Sequence, residues 1–269
     1  MRKIRYDYHV HSSISPDGRA SMEEMCESAI EKGMEEVVFT DHYEFYAHGV
    51  TRQWFHEEYL KRYFETVGRC REQFAGRLTV KSGMEYGQLH LYPERTADFV
   101  KSHPYDFVLG AVHKIENVDL AQITVTKENA EWIGDAYYYH LLELSEVGEF
   151  DCIAHLDYFK KHCAKQGLPD LYEKYQPFIK KVLENVIKRG KGIELNTACM
   201  GGVLEETMPG PPTLALYKEL GGTIVTVGSD SHRPERIGYG FDAVYQELKK
   251  AGFRAVATYQ NRICTLKAF

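Results

Sequence analysis

The chain has 269 residues, of which 43% are hydrophobic and 27% charged, an ordinary globular composition that is long enough for one large core. Lys and Arg total 33 against 39 for Asp and Glu, a formal charge of -6 with neither sign gathered into a block, so nucleic acid is not the expected partner. The start, Met1-Arg2-Lys3-Ile4-Arg5, is charged and lacks an apolar signal stretch, and no segment reaches membrane-spanning length, so a cytoplasmic enzyme is expected.

In chain order, Tyr6 to His9 opens as a strand. Ser21-Met22-Glu23-Glu24 has the capping-box pattern, and Met22, Met25, Cys26, Ala29 and Ile30 then share one helical face before Gly33 supplies a stop. Val37-Val38-Phe39-Thr40 reads as a strand buried on both faces. The segment Tyr43 to Thr51 lacks periodicity and is a candidate lid or substrate loop. A helix from about Trp54 to Phe74 leads to a strand at Leu78-Thr79-Val80, and a helix from Arg95 to Lys101 leads to a strand from Phe107 to Val112. A helix from Lys127 to Val147 precedes the strand Cys152-Ile153-Ala154; a further helix, interrupted by Pro177, reaches Gly190 before Gly192-Ile193-Glu194-Leu195. Thr213 to Leu220 is helical and leads to a strand from Thr223 to Val227. Seven strands alternating with helices predict a parallel sheet, and at this length one barrel domain spanning residues 1–269.

Six cysteines, at 26, 70, 152, 163, 199 and 264, show no C-x-x-C pairing and read as reduced, buried residues. That leaves His and carboxylate as the ligand types, a set compatible with zinc, iron or manganese. Such residues recur at the predicted strand ends: His9 and His11, Asp41 and His42, Glu85, His113, His155, and Asp230 with His232. The sixth strand ends in Glu194-Leu195-Asn196, without His. In a barrel these positions form one rim, where active sites of such folds are built. Asp17, in the loop Ser15-Pro16-Asp17-Gly18, reads either as a turn residue or as a further ligand. For any one of these histidines a backbone-satisfied side chain is the blander reading, but five strands placing His at one end favour a shared site. Leaving out Asp41 and including Asp17, nine candidate ligands exceed what one cation needs and imply a cluster, with Glu85 as the bridge. His48, His56, His90, His103, His140 and His162 share no such location and read as solvated or capping, with His48 and His162 near rim loops.

These blocks, Asp7-Tyr8-His9-Val10-His11-Ser12 with Asp17-Gly18, Phe39-Thr40-Asp41-His42, Gly83-Met84-Glu85, Gly110-Ala111-Val112-His113, Ala154-His155 and Gly228-Ser229-Asp230-Ser231-His232, resemble the polymerase and histidinol phosphatase (PHP) family. Within that family the chain looks most like the histidinol-phosphate phosphatases, from about Tyr6 to its end. The resemblance implies a distorted (β/α)7 TIM-like barrel with three divalent metal ions. One would be held by His9, His11, Glu85 and Asp230, a second by Glu85, His113 and His155, and a third by Asp17, His42 and His232. Some relatives carry His at the position of Asp17, which would alter the third site. The implied reaction is hydrolysis of L-histidinol phosphate to L-histidinol and phosphate, with a metal-bridging hydroxide as nucleophile.

Asp230 and His232 are the candidates for exchanging protons with the attacking water or the leaving group. Asp41 is either an acceptor that fixes an imidazole or a loop cap. Among the cations near the predicted rim, Lys114, Lys160, Lys161 and Arg233, the expected phosphate contacts are Arg233 and Lys160; Asn196, Glu44 and Asp157 are candidates for the amine and imidazole. Rival readings are a phosphoesterase of the same fold with another small substrate, a metal amidohydrolase, and a non-catalytic metal-stabilised scaffold. Oligomeric state is not legible in the sequence.

Overall fold

A computed structural model of the chain describes residues 4–47 and 55–269. Its elements are β1 (Tyr6–Val10), α1 (Met22–Glu31), β2 (Glu36–Phe39), β3 (His42–Glu44), α2 (Glu57–Gln73), β4 (Thr79–Gly87), α3 (Pro93–Lys101) and β5 (Phe107–Ala111). A small hairpin of β6 (Lys114–Ile115) and β7 (Val118–Asp119) precedes α4 (Ala130–Val147), β8 (Cys152–Ile153), α5 (Tyr158–Lys165), α6 (Tyr172–Lys188), β9 (Gly192–Asn196) and α7 (Pro211–Glu219). The chain ends with β10 (Val225–Gly228), α8 (Phe241–Lys250), β11 (Ala255–Gln260) and β12 (Ile263–Ala268).

Seven parallel strands run in the order β1-β2-β4-β5-β8-β9-β10. A parallel bridge between Val10 and Ser231, with His11 N–H donating to Ser231 O at 2.9 Å, brings the two ends together into a nearly closed barrel. The short strand β3 continues β2 along β4 in unchanged register: Phe39 pairs with Ser82 and His42 with Glu85. Part of the segment expected to be a lid or substrate loop is therefore sheet; its remainder from His48, with that histidine and Trp54, lies outside the described residues.

The predicted capping box is present: Ser21 N–H donates to Glu24 at 2.7 Å and Glu24 N–H to Ser21 Oγ at 3.1 Å, satisfying two otherwise free donors of α1. The single helix expected before β9 is instead two, α5 and α6, and Pro177 lies inside α6 without interrupting it. Pro177 sits on the solvent side in the second turn, where water can satisfy the carbonyl of Glu173 that loses its donor. Among the described residues no helix is long and apolar enough to cross a membrane.

Inside the barrel, Tyr8, Val38, Phe107, Leu109, Ala111, Cys152 and Ala154 form a small apolar core together with Ala257 and Tyr259 of β11. The terminal hairpin thus plugs the end of the barrel where the strands begin. Its two-residue turn, Asn261-Arg262, has both residues at positive φ (49° and 63°). Arg262 is held there because its guanidinium meets Asp151 at 3.0–3.2 Å and its N–H donates to Asp106 O at 2.8 Å. The opposite end of the barrel is left open for chemistry.

Candidate metal centre

At that open end the register between β1 and β2 slips by one residue, from Asp7 opposite Val37 to Val10 opposite Phe39. The extra residue is a β-bulge, and it lets both Tyr8 and His9 face the barrel axis. His9 and His11 then lie on the same side, as their spacing predicts, with Nε2 atoms 3.0 Å apart.

Two buried carboxylates fix the imidazoles. His9 Nδ1–H donates to Glu194 Oε1 at 2.6 Å, and His113 Nδ1–H donates to Glu44 Oε1 at 2.6 Å. Because Nδ1 is the nitrogen that donates in each ring, loss of the second proton leaves the Nε2 lone pair aimed at the pocket. Both carboxylates need glycine behind them. A Cβ at Gly228 would meet Glu194 Oε1 at 2.1 Å and His9 Cβ at 2.4 Å, and one at Gly87 would meet Glu44 Oε2 at 2.1 Å.

Around Glu85 the donors divide into two sets. Oε2 faces His9 Nε2 at 3.2 Å, His11 Nε2 at 3.5 Å and His42 Nδ1 at 3.0 Å, while Asp230 Oδ1 lies 3.6 Å from His9 and 3.3 Å from His11. Oε1 faces His113 Nε2 at 3.0 Å and His155 Nε2 at 2.8 Å. A third set forms at the rim, where Asp17 Oδ2 lies 3.4 Å from both His42 Nε2 and His232 Nδ1, and His232 Nε2 lies 3.2 Å from Asp230 Oδ1. All nine residues named from the sequence therefore meet at one mouth.

Two of them adopt left-handed backbone, His155 at φ 24° and Asp230 at φ 51°. Such conformations cost on the order of 1–3 kcal/mol each and persist where the surroundings hold them. Here Glu194 Oε2 accepts the N–H of His155 at 2.9 Å, and Asn196 Nδ2 donates to Asp230 Oδ2 at 3.1 Å.

The electrostatics suit a cage for cations. Burial disfavours the charged form of Glu85, but His9, His113 and His42 outweigh it and hold the carboxyl well below its usual range. Asp230 is likewise held low against burial, by His9, His11 and His232. Burial lowers His113, yet Glu44 and Glu85 raise it to about 9; burial and the neighbouring His232 and His42 push His11 down to about 3. Glu85 Oε2 and His42 Nδ1 are buried and, although 3.0 Å apart, make no hydrogen bond to each other or to any other group. Lone pairs and carboxylate oxygens at 2.8–3.6 Å repel unless a positive charge lies among them, and ligands of one cation at ~2.0–2.2 Å stand about 3.0–3.5 Å from each other. The side chains present thus fit metal ions, and sets such as His9, His11 and Asp230, or His42, Glu85 and His113, bring three donor atoms together.

The mouth opens into a cavity of about 650 Å³ whose walls include Tyr46, Phe55, Lys114, Asp119, Tyr158 and Lys161. Beside it lies a basic recess formed by Arg19, Lys161, Arg233 and Arg236 around Asp17, Asp230 and His232.

The structure overturns some of the expected contacts and decides between others. Lys160 does not reach the cavity, because it is paired with Asp170 at 3.2 Å and with Glu206; Lys161, one residue on, lines it. Asn196 is buried and orients Asp230 and the 197–198 turn, leaving no face for substrate. Asp41 is the loop cap: it accepts from Ser12 N–H at 2.8 Å, Ser15 N–H at 3.1 Å and the Ser12 hydroxyl. Glu44 lines the cavity but is committed to His113 and to Lys114, 2.8 Å away. Asp157 is buried and accepts from Gly210 N–H at 3.0 Å, outside the cavity wall. Arg233 lies in the basic recess. His56 caps α2, as expected, whereas His90 and His162 are buried, not solvated.

The PHP domain model matches residues 7–198. The chain belongs to the PHP family. A histidinol-phosphatase of Lactococcus lactis is 28% identical over 267 residues, covering 97% of this chain and 96% of that protein. A probable histidinol-phosphatase of Thermotoga maritima is 27% identical and covers 97% of this chain and 98% of its own. The crystal structure of the Lactococcus lactis histidinol phosphate phosphatase, complexed with zinc, L-histidinol and phosphate, superposes with a TM-score of 0.82 at 25% identity, covering 97% of this PHP chain and 98% of the other.

Proposed function

We propose that this PHP protein is a metal-dependent phosphatase that hydrolyses L-histidinol phosphate to L-histidinol and phosphate. The observation that carries the reading is the convergence of His9, His11, His42, Glu85, His113, His155, Asp230, His232 and Asp17 on one mouth, in a chain similar end to end to a relative solved with zinc, histidinol and phosphate. The three sets of donors around Glu85 and Asp17 support a cluster of three divalent ions, of zinc, iron or manganese type. When bound, such ions supply positive charge to the phosphoryl oxygens and lower the pKa of water.

The chain's own residues supply the rest. Glu194 and Glu44 hold His9 and His113 in the tautomer that offers a lone pair. Asp230 and His232, 3.2 Å apart where the cavity meets the basic recess, exchange protons with the attacking water and the departing alkoxide. Lys161, Arg19 and Arg233 bring positive charge to the phosphate side. Tyr46, Phe55 and Tyr158 form the aromatic part of the cavity wall for an imidazole, and the partly exposed Asp119, 3.6 Å from Lys114, adds a carboxylate for an ammonium group. A small zwitterionic phosphate monoester matches this division better than an uncharged amide, and among the described residues the barrel path has seven strands, without the eighth that carries the catalytic Asp a metal amidohydrolase typically uses.

Phosphate release from a panel of L-histidinol phosphate, nucleotides, sugar phosphates and an aryl phosphate tests the reading. The expected result is a kcat/KM for L-histidinol phosphate at least tenfold above every other substrate; equal values across the panel would leave a generic phosphoesterase.

A further inference from the structure

Away from the barrel mouth, the turn that follows β4 brings His90 against α4. His90 Nε2 lies 3.1 Å from His140 Nδ1, and that same Nδ1 lies 3.5 Å from Glu143 Oε2 on the same helix face. His90 is buried and its Nδ1 has no hydrogen-bond partner, while His140 and Glu143 open partly to solvent. Among the described residues this is the one set of three close metal-type donors that shares no residue with the mouth.

A hydrogen bond between the two rings uses one proton and one lone pair and leaves Glu143 Oε2, 3.5 Å from His140 Nδ1, outside it. A cation among the three atoms would engage all of them, with two imidazole nitrogens and one carboxylate oxygen as ligands, and the partly exposed His140 and Glu143 leave a position open toward solvent. The scaffold is preorganised. His140 and Glu143 sit at i, i+3 on a long helix, and the His90 turn is pinned by the Thr96 hydroxyl donating to Leu89 O at 2.8 Å.

We propose that His90, His140 and Glu143 form a second metal site, for a borderline divalent ion such as zinc, that ties the turn after β4 to α4. Two imidazoles and a carboxylate suit zinc, cobalt or nickel better than magnesium or calcium. The partly exposed edge of His140 and Glu143 gives the ion a way in. An ion bound there stabilises the fold by mass action, independently of what the mouth binds or hydrolyses.

The test is equilibrium dialysis of the metal-loaded protein against zinc, with metal counted per chain for wild type, His140→Ala and Glu143→Gln. Wild type is expected to hold one more zinc per chain than His140→Ala, to lose the corresponding rise in Tm with added zinc when His140 is replaced, and to show the same kcat/KM in both forms. Equal metal content and equal zinc-dependent Tm shifts in wild type and both variants would overturn the site and leave a hydrogen-bonded histidine pair only. His140→Gln, which keeps a polar partner for His90, carries the same comparison if His140→Ala folds poorly.

Discussion

Glu194→Gln isolates the buried support of the mouth from the mouth itself. Three donors converge on the two oxygens of Glu194: His9 Nδ1–H at 2.6 Å, His155 N–H at 2.9 Å and Asn196 Nδ2 at 3.2 Å. Glutamine has the same shape but one acceptor, so its NH2 must point at a donor on one side. Facing His9, it favours the tautomer that places a proton on Nε2, the atom directed at Glu85 and Asp230; facing His155, it loosens a residue held at φ 24°. A lost hydrogen bond to a charged group is worth about 1.5–3 kcal/mol, and at about 1.4 kcal/mol per decade this is roughly a 10- to 100-fold loss. That matches the usual effect of removing a partner of a ligating histidine, about 10- to 100-fold in metal affinity or activity. Zinc affinity by chelator competition and kcat/KM for L-histidinol phosphate at limiting zinc should both fall within that range. Zinc affinity and kcat/KM both within twofold of wild type, in a folded variant, would refute the assignment of Glu194 as the residue that sets the His9 tautomer.

Other consequences follow from particular contacts. Lys161→Ala should raise KM for the phosphorylated substrate about tenfold with little change in kcat, whereas Lys160→Ala, which breaks the pairing with Asp170 and Glu206, should leave KM within twofold; steady-state kinetics on both variants decides. Arg262→Ala should cost about 3 kcal/mol or more in urea unfolding while kcat/KM holds, because it strands buried Asp151 at the plugged end of the barrel. His162 is pushed down to about 4 by burial and then by Lys161 and Lys165. Its folded value lies below the unfolded one near 6.5, so the stability it contributes is complete above about pH 6.5 and is lost as pH falls toward 4, reaching about 1–2 kcal/mol by pH 5. Unfolding at pH 7 and pH 5 should show a smaller acid loss in His162→Gln than in wild type.

Much of this site was legible because barrel geometry turns sequence position into location. A ligand-type residue at a strand end falls on the rim whatever its distance along the chain, which is how His9 and Asp230 could be placed together. What stayed hidden depends on relations across strands or on helix phase. Glu194 serves His9 from 185 positions away, and nothing in Glu194-Leu195-Asn196 says which residue it touches; the glycines behind the two supporting carboxylates, Gly228 and Gly87, give the clearest retrospective signal. Lys160 and Lys161 differ by about 100° around α5, so an error of one residue in the helix start exchanges the cation facing the cavity for the one facing Asp170. The two hairpins were missed for a shared reason. Their turns, Glu116-Asn117 and Asn261-Arg262, take positive φ at both positions without the glycine that advertises such turns.

Anomalous diffraction from crystals of the metal-loaded protein decides whether cations gather around the Glu85 carboxylate. Strong metal peaks are expected within about 2.0–2.5 Å of both Glu85 oxygens and of the Asp17 carboxylate. Diffraction from fully loaded crystals with no peak in contact with Glu85, and with the histidines of the mouth hydrogen-bonded to water instead, would contradict it.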